Sequence, residues 1–126
     1  MGNPVVHFEV IGKDAKALRE FYGQAFDWKI EPVPGGGGMD YAMARPQAQD
    51  EDGIAGGIGG GKEGYGGHVT FYVAVPNLEE ALGKIERLGG STMMPPDQVP
   101  NGPRIALFGD PEGHVVGLVQ MDETAG

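Results

Sequence analysis

Two helix beginnings stand 63 positions apart, at Asp14 and Asn77, and the residues around them follow one order. Val5-Val6-His7-Phe8-Glu9-Val10-Ile11 is rich in β-branched residues and reads as a strand, ended by Gly12-Lys13-Asp14. Beyond it, Leu18, Phe21, Tyr22, Ala25 and Phe26 fall at helical spacing, which predicts an amphipathic helix whose stripe packs on a sheet. Asp14 suits its N-cap, because a carboxylate accepts from the free amides of a first turn. Trp28–Val33 and Met39–Ala44 read as strands separated by the turn Gly35–Gly38, and a fourth strand centres on Ile54–Ile58. The pattern then restarts. His68–Val75 is a strand, and Asn77-x-x-Glu80 resembles a capping box. Leu78, Ala81, Leu82, Ile85 and Leu88 form the second stripe, and Gly89-Gly90 stop it. Ser91–Met94, Arg104–Phe108 and Val115–Gln120 supply three strands, with turns at Pro95-Pro96 and Asp110-Pro111-Glu112-Gly113.

Such a repeat predicts an α+β fold in which two βαβββ modules form a half-open curved mixed sheet with a concave face for a small molecule. Module one covers about 4–60, a glycine-rich link about 59–67, and module two about 68–121, within one domain spanning 1–126. Composition nearly argues against any fold, since 24 of the 126 residues are glycine and 10 are proline. Val, Ile, Leu and Phe still supply 28 residues, just above the roughly 20% below which a highly charged chain fails to fold. Met39, Met43, Met93 and Met94 are expected in the core, and Asp50-Glu51-Asp52 in a solvated loop.

The formal charge of −9, with no Lys/Arg cluster, argues against nucleic acid and anionic membranes as partners. Absence of cysteine excludes disulfides, thiolate metal sites and cysteine nucleophiles, and suits the cytoplasm. A strand already occupying 4–11 leaves no place for a signal peptide, and no apolar run approaches a membrane span. The glycine cluster lacks the Gly-Lys-Ser/Thr ending of a phosphate loop, so no nucleotide is implied.

His7 followed by Leu18-Arg19-Glu20-Phe21-Tyr22 and Phe26-Asp27-Trp28 resembles one family's strand, helix and helix exit, with Asp27 where glycine is usual. Val75-Pro76-Asn77-Leu78, Leu88-Gly89-Gly90 and Asp110-Pro111-Glu112-Gly113-His114 resemble the matching parts of its second module. The family is the vicinal-oxygen-chelate superfamily, which includes glyoxalase I, bleomycin-resistance proteins and extradiol dioxygenases. The resemblance implies a metal held by equivalent strands of two modules, and commonly a homodimer. It puts the first ligand at His7, the second at Thr70, a carboxylate at Gly56 or Gly57, and a glutamate at Gly117. Glycine has no side chain to coordinate with, so one ligand-type residue of four remains in register.

Strand neighbours at i and i+2 share a face, so His7 goes with Glu9, and Thr70 with His68 and Tyr72. These five are the candidate ligand-binding residues. His7, His68 and Glu9 form a plausible set for Fe, Mn, Ni or Zn, although His7 and Glu9 stand about 6.6 Å apart along the strand. The expected function is a glyoxalase- or bleomycin-resistance-like protein that binds or transforms a small metabolite without the family's full metal site. Glu9 or His7 would then be the base and Tyr72 the polariser. Alternatives are an antibiotic-sequestering protein with no catalysis, and a metal-dependent lyase or dioxygenase using His7, His68 and Glu9. His114 is expected to be a surface turn residue.

Overall fold

The computed structural model describes residues 2–33, 40–46, 53–60, 65–100 and 102–121. The Gly35–Gly38 turn, Met39, the Asp50–Asp52 loop and link residues 61–64 lie outside the described residues. The chain divides into two compact units, His7–Val69 and Thr70–Gly126, the latter joined by Met1–Val6. A backbone bond from Ala74 N–H to Pro4 C=O (2.9 Å) ties that leading segment to the second unit.

The first unit carries α1 (Ala15–Phe26), β2 (Lys29–Pro32), β3 (Tyr41–Arg45), β4 (Gly56–Gly60) and all but the first two residues of β1 (Val5–Gly12). β2 pairs antiparallel with β3, β3 antiparallel with β4, and β4 parallel with β1. The second carries α2 (Leu78–Arg87), β6 (Ser91–Gln98), β7 (Arg104–Gly109), β8 (Val115–Gln120) and most of β5 (His68–Val75). There β5 pairs parallel with β8, β8 antiparallel with β7, and β7 antiparallel with β6. Each module is therefore βαβββ, as the repeat predicts, and the fold is α+β.

The caps follow from side-chain chemistry. Asp14 and Asn77 adopt extended backbone and accept from the amides of Ala17 (3.0 Å) and Glu80 (2.9 Å). α1 ends on Asp27, in the left-handed region at φ 58°, which is why glycine suits that position and Asp is among the residues that tolerate it. α2 ends at Arg87 with Leu88 as its C-cap, followed by Gly89 at φ 103°, and the Gly90 amide bonds back to the Ile85 carbonyl at 2.9 Å.

Five expectations need correction. β4 starts at Gly56, and Ile54 is exposed outside it. β6 does not stop at Met94 but runs through Pro95-Pro96 to Gln98. It pairs with β7 at Met94↔Leu107 and Asp97↔Ile105, three steps against two. Such a bulge on an edge strand accommodates residues that have no N–H to donate. The α1 stripe is only half buried. Leu18 and Tyr22 pack on Val10, Ala44 and Ile58, whereas Phe21 and Phe26 stay 63% and 57% exposed. That floor, with alanine at 44, is narrower than the stripe, so the outer rings lie against Tyr22 and Trp28 instead, at centroid distances of 5.1 Å. In the second unit Val75, Leu78, Leu82, Ala106 and Leu118 form the core, while Leu88 is exposed because the chain turns away at Gly89. Met93 is exposed too, alternating with half-buried Met94 along β6.

Candidate active site

β1 sends His7 and Glu9 to one face, and its parallel register sets Glu9 opposite Gly57 of β4. β3 approaches β4 from the other side, with Tyr41 opposite Gly59 and Met43 opposite Gly57. The Tyr41 ring lies across both glycines. A Cβ at Gly57 would stand 1.6 Å from the Tyr41 hydroxyl oxygen, and one at Gly59 2.8 Å from its Cδ1. Only a glycine pair lets a β3 side chain reach across β4 to β1.

The Tyr41 hydroxyl thereby arrives between two groups, 3.1 Å from Glu9 Oε1 and 3.1 Å from His7 Nε2. The other carboxylate oxygen, Oε2, is 2.8 Å from His68 Nε2, and His68 Nδ1 is hydrogen-bonded to the hydroxyl of Tyr65. All five side chains belong to the His7–Val69 unit. The Glu9 side chain is 13% exposed and that of His68 33%. A carboxylate so covered is tolerable because donors offset its lost hydration.

With Glu9 ionised and each imidazole carrying one hydrogen, one set of directions satisfies every bond. Ionised Glu9 only accepts, so Tyr41 gives its single hydroxyl proton to Oε1. The Tyr41 oxygen then accepts from His7, which must carry its hydrogen on Nε2. His68 donates from Nε2 to Glu9, and its Nδ1 accepts from Tyr65. Burial holds the His7 pKa below the usual histidine value, with the Glu9 charge acting in the opposite sense.

Of the expected site residues, the fold brings His7, Glu9 and His68 together. Thr70 and Tyr72 belong to the other unit. The Thr70 hydroxyl donates to the Val115 carbonyl at 2.8 Å. Tyr72 is buried with Ala74 and Val119, its ring above Gly117, where a Cβ would stand 2.4 Å away. His114 is exposed and bonded to the Asp110 carboxylate at the turn, as expected. Tyr41 and Tyr65 escaped the sequence reading. The available signal for Tyr41 was a tyrosine facing a Gly-Gly-Ile-Gly-Gly strand.

A divalent metal does not fit the residues as they stand. The positions at which the resemblance puts carboxylates are glycines, Gly56 under the Phe8 ring or Gly57 under Tyr41, and Gly117 under Tyr72, and the Nε2 atoms of His7 and His68 face Tyr41 and Glu9. Among the described residues no three His, Cys, Asp or Glu side chains are grouped as a metal ion requires. A recess of about 320 Å³ in the second unit is lined by residues that include Pro4, Ala74, Pro76 and Met121, and by none of the candidates. No helix among the described residues is long and apolar enough to cross a membrane.

Residues 5–118 match the Glyoxalase/Bleomycin resistance protein/Dioxygenase superfamily. Proteins of Mycobacterium bovis and Mycobacterium tuberculosis that carry the name "Putative glyoxylase CFP32" are 34% identical over 115 residues. That alignment covers 90% of this chain and 44% of theirs, so the chain spans less than half the length of those relatives. A hypothetical protein of Bacillus halodurans has a similar structure (TM-score 0.70, 16% identity, 98% of this chain and 97% of that one). So does a variant methylmalonyl-CoA epimerase of Streptomyces coelicolor in complex with 2-nitronate-propionyl-CoA (TM-score 0.67, 18% identity, 94% and 96% covered). At these identities the structures speak to fold alone. The chain belongs to the glyoxalase/bleomycin resistance protein/dioxygenase superfamily.

Proposed function

We propose that this superfamily member is a glyoxalase-related acid–base enzyme that moves a proton on a small carbonyl or hydroxylated metabolite, with Glu9 as the base. The observation that carries the reading is the Glu9 carboxylate held between the Tyr41 hydroxyl and the His68 imidazole. The two donors fix the orientation of the carboxylate, and its shielding from water favours proton transfer over solvation. When Glu9 takes a proton from a carbon beside a carbonyl, both hydrogen bonds weaken with its charge, and the neutral acid can return the proton to a neighbouring atom. In this reading Tyr72, in the other unit, has no part, and Tyr41, which bonds Glu9 and His7 at once, orients the base. The superfamily's metal contributes no step, because the donor set does not fit one. A homodimer and a cytoplasmic location belong to the same proposal; the exposed Phe21 and Phe26 support the first, and light scattering tests it.

The test is exchange of α-hydrogens for deuterium in D2O, followed by proton NMR on a panel of small α-dicarbonyl and α-hydroxycarbonyl compounds. The native chain should accelerate exchange over buffer, and Glu9→Gln should lower that rate about 100-fold or more. Equal rates in the two proteins sink the assignment. Binding of a panel compound to both, with exchange in neither, would instead support sequestration.

A further inference from the structure

Tyr65 sits three positions before His68 and immediately ahead of Gly66-Gly67. Gly67 has φ 102°, and a Cβ there would stand 2.2 Å from the Ile11 carbonyl oxygen. The backbone is therefore pinned against the end of β1 at a point where only glycine fits, and that fold-back brings the Tyr65 ring edge-on to the His68 ring, centroids 5.7 Å apart. The Tyr65 hydroxyl bonds His68 Nδ1 while His68 Nε2 bonds Glu9.

We infer that Tyr65 is a positioning residue for Glu9, acting through His68. An imidazole anchored only at Nε2 can turn about its Cβ–Cγ bond and exchange the nitrogen it presents. A donor at Nδ1 removes that freedom, so Nε2–H stays directed at the carboxylate. The residue is 44% exposed, and its hydroxyl contributes a bond rather than core volume. The kinetic consequence rests on Glu9 being the base; the hydrogen-bond consequence does not.

Tyr65→Phe keeps the ring and removes the oxygen. The turnover rate for α-hydrogen exchange should fall about 3- to 10-fold with KM unchanged, the range one hydrogen bond controls. Independently, the 15N resonance of His68 Nδ1 in labelled protein should move downfield in Tyr65→Phe, as that nitrogen loses its donor. A variant with native turnover and a native Nδ1 frequency overturns the proposal. If Glu9→Gln abolishes exchange in the same series, that failure belongs to Tyr65 and leaves the Glu9 reading standing. If the native protein catalyses no exchange, the Glu9 reading fails, and the Nδ1 frequency alone decides the role of Tyr65.

Discussion

The hydroxyl oxygen of Tyr41 occupies the space that a side chain at Gly57 would need, within 1.6 Å of where its Cβ would stand. Every candidate group reached from β3 depends on that vacancy.

Gly57→Ala should accordingly destabilise the protein by about 1–3 kcal/mol, the usual range for forcing a carbon into filled space. Tyr41→Ala made in the Gly57→Ala background should recover part of the loss. Urea denaturation of the four proteins in the cycle measures the coupling, and strictly additive losses would mean that the ring and the glycine are independent.

Removing only the oxygen separates chemistry from packing. Tyr41→Phe keeps the ring over Gly57 and Gly59 but withdraws the bonds to Glu9 and His7. Stability should change by no more than about 1–2 kcal/mol, the cost of leaving polar groups under-satisfied. Deuterium exchange at the substrate α-carbon should slow about 10-fold or more. An unchanged exchange rate would remove Tyr41 from the reaction.

The pH dependence of stability follows from His7. Its folded pKa is lowered from about 6.5, chiefly by burial, so below that pH the unfolded chain binds more protons than the folded one. Stability contributed by His7 is therefore present above about pH 6.5 and is lost as pH falls through the lower folded value. Urea midpoints measured from pH 8 to pH 5 should decline more steeply for the native protein than for His7→Gln. Parallel slopes would contradict a half-buried His7 whose protonation opposes folding.

At the module junction, Gly67→Ala would combine a left-handed φ of 102° with a close approach to the Ile11 carbonyl. A loss of about 1–3 kcal/mol is expected, with weakened exchange activity because Tyr65 and His68 shift together. Thermal unfolding alongside the NMR assay checks both; native stability would show that the turn relaxes freely.

Helices and most strands were legible because their signals are local. Asp14 and Asn77 mark helix starts by side chains that accept amide bonds three residues on, and the stripes follow from the pitch of a helix. His7, Glu9 and His68 were accessible to the period-two rule. Tyr41 was not, because its reach depends on which residue of β4 it crosses, and register between β3 and β4 has no local code. The same blindness hid the continuation of β6 through two prolines, since edge position is a property of the sheet and not of the strand. Half-exposed Phe21 and Phe26 followed the stripe correctly but met a floor too small to cover them.

The crossing of Tyr41 over Gly57 also constrains descent. Position 57 cannot accept a carboxylate while position 41 holds a large ring, whereas position 41 can shrink at any time. A lineage passing between a glutamate-bearing β4 and the present one must therefore visit a small residue at both positions, or change both together. A comparison of single columns would see two unrelated substitutions on different strands. Considered as a pair, they are coupled: a side chain at position 57 requires a small residue at position 41, so the tyrosine must leave before the glycine is replaced, or together with it.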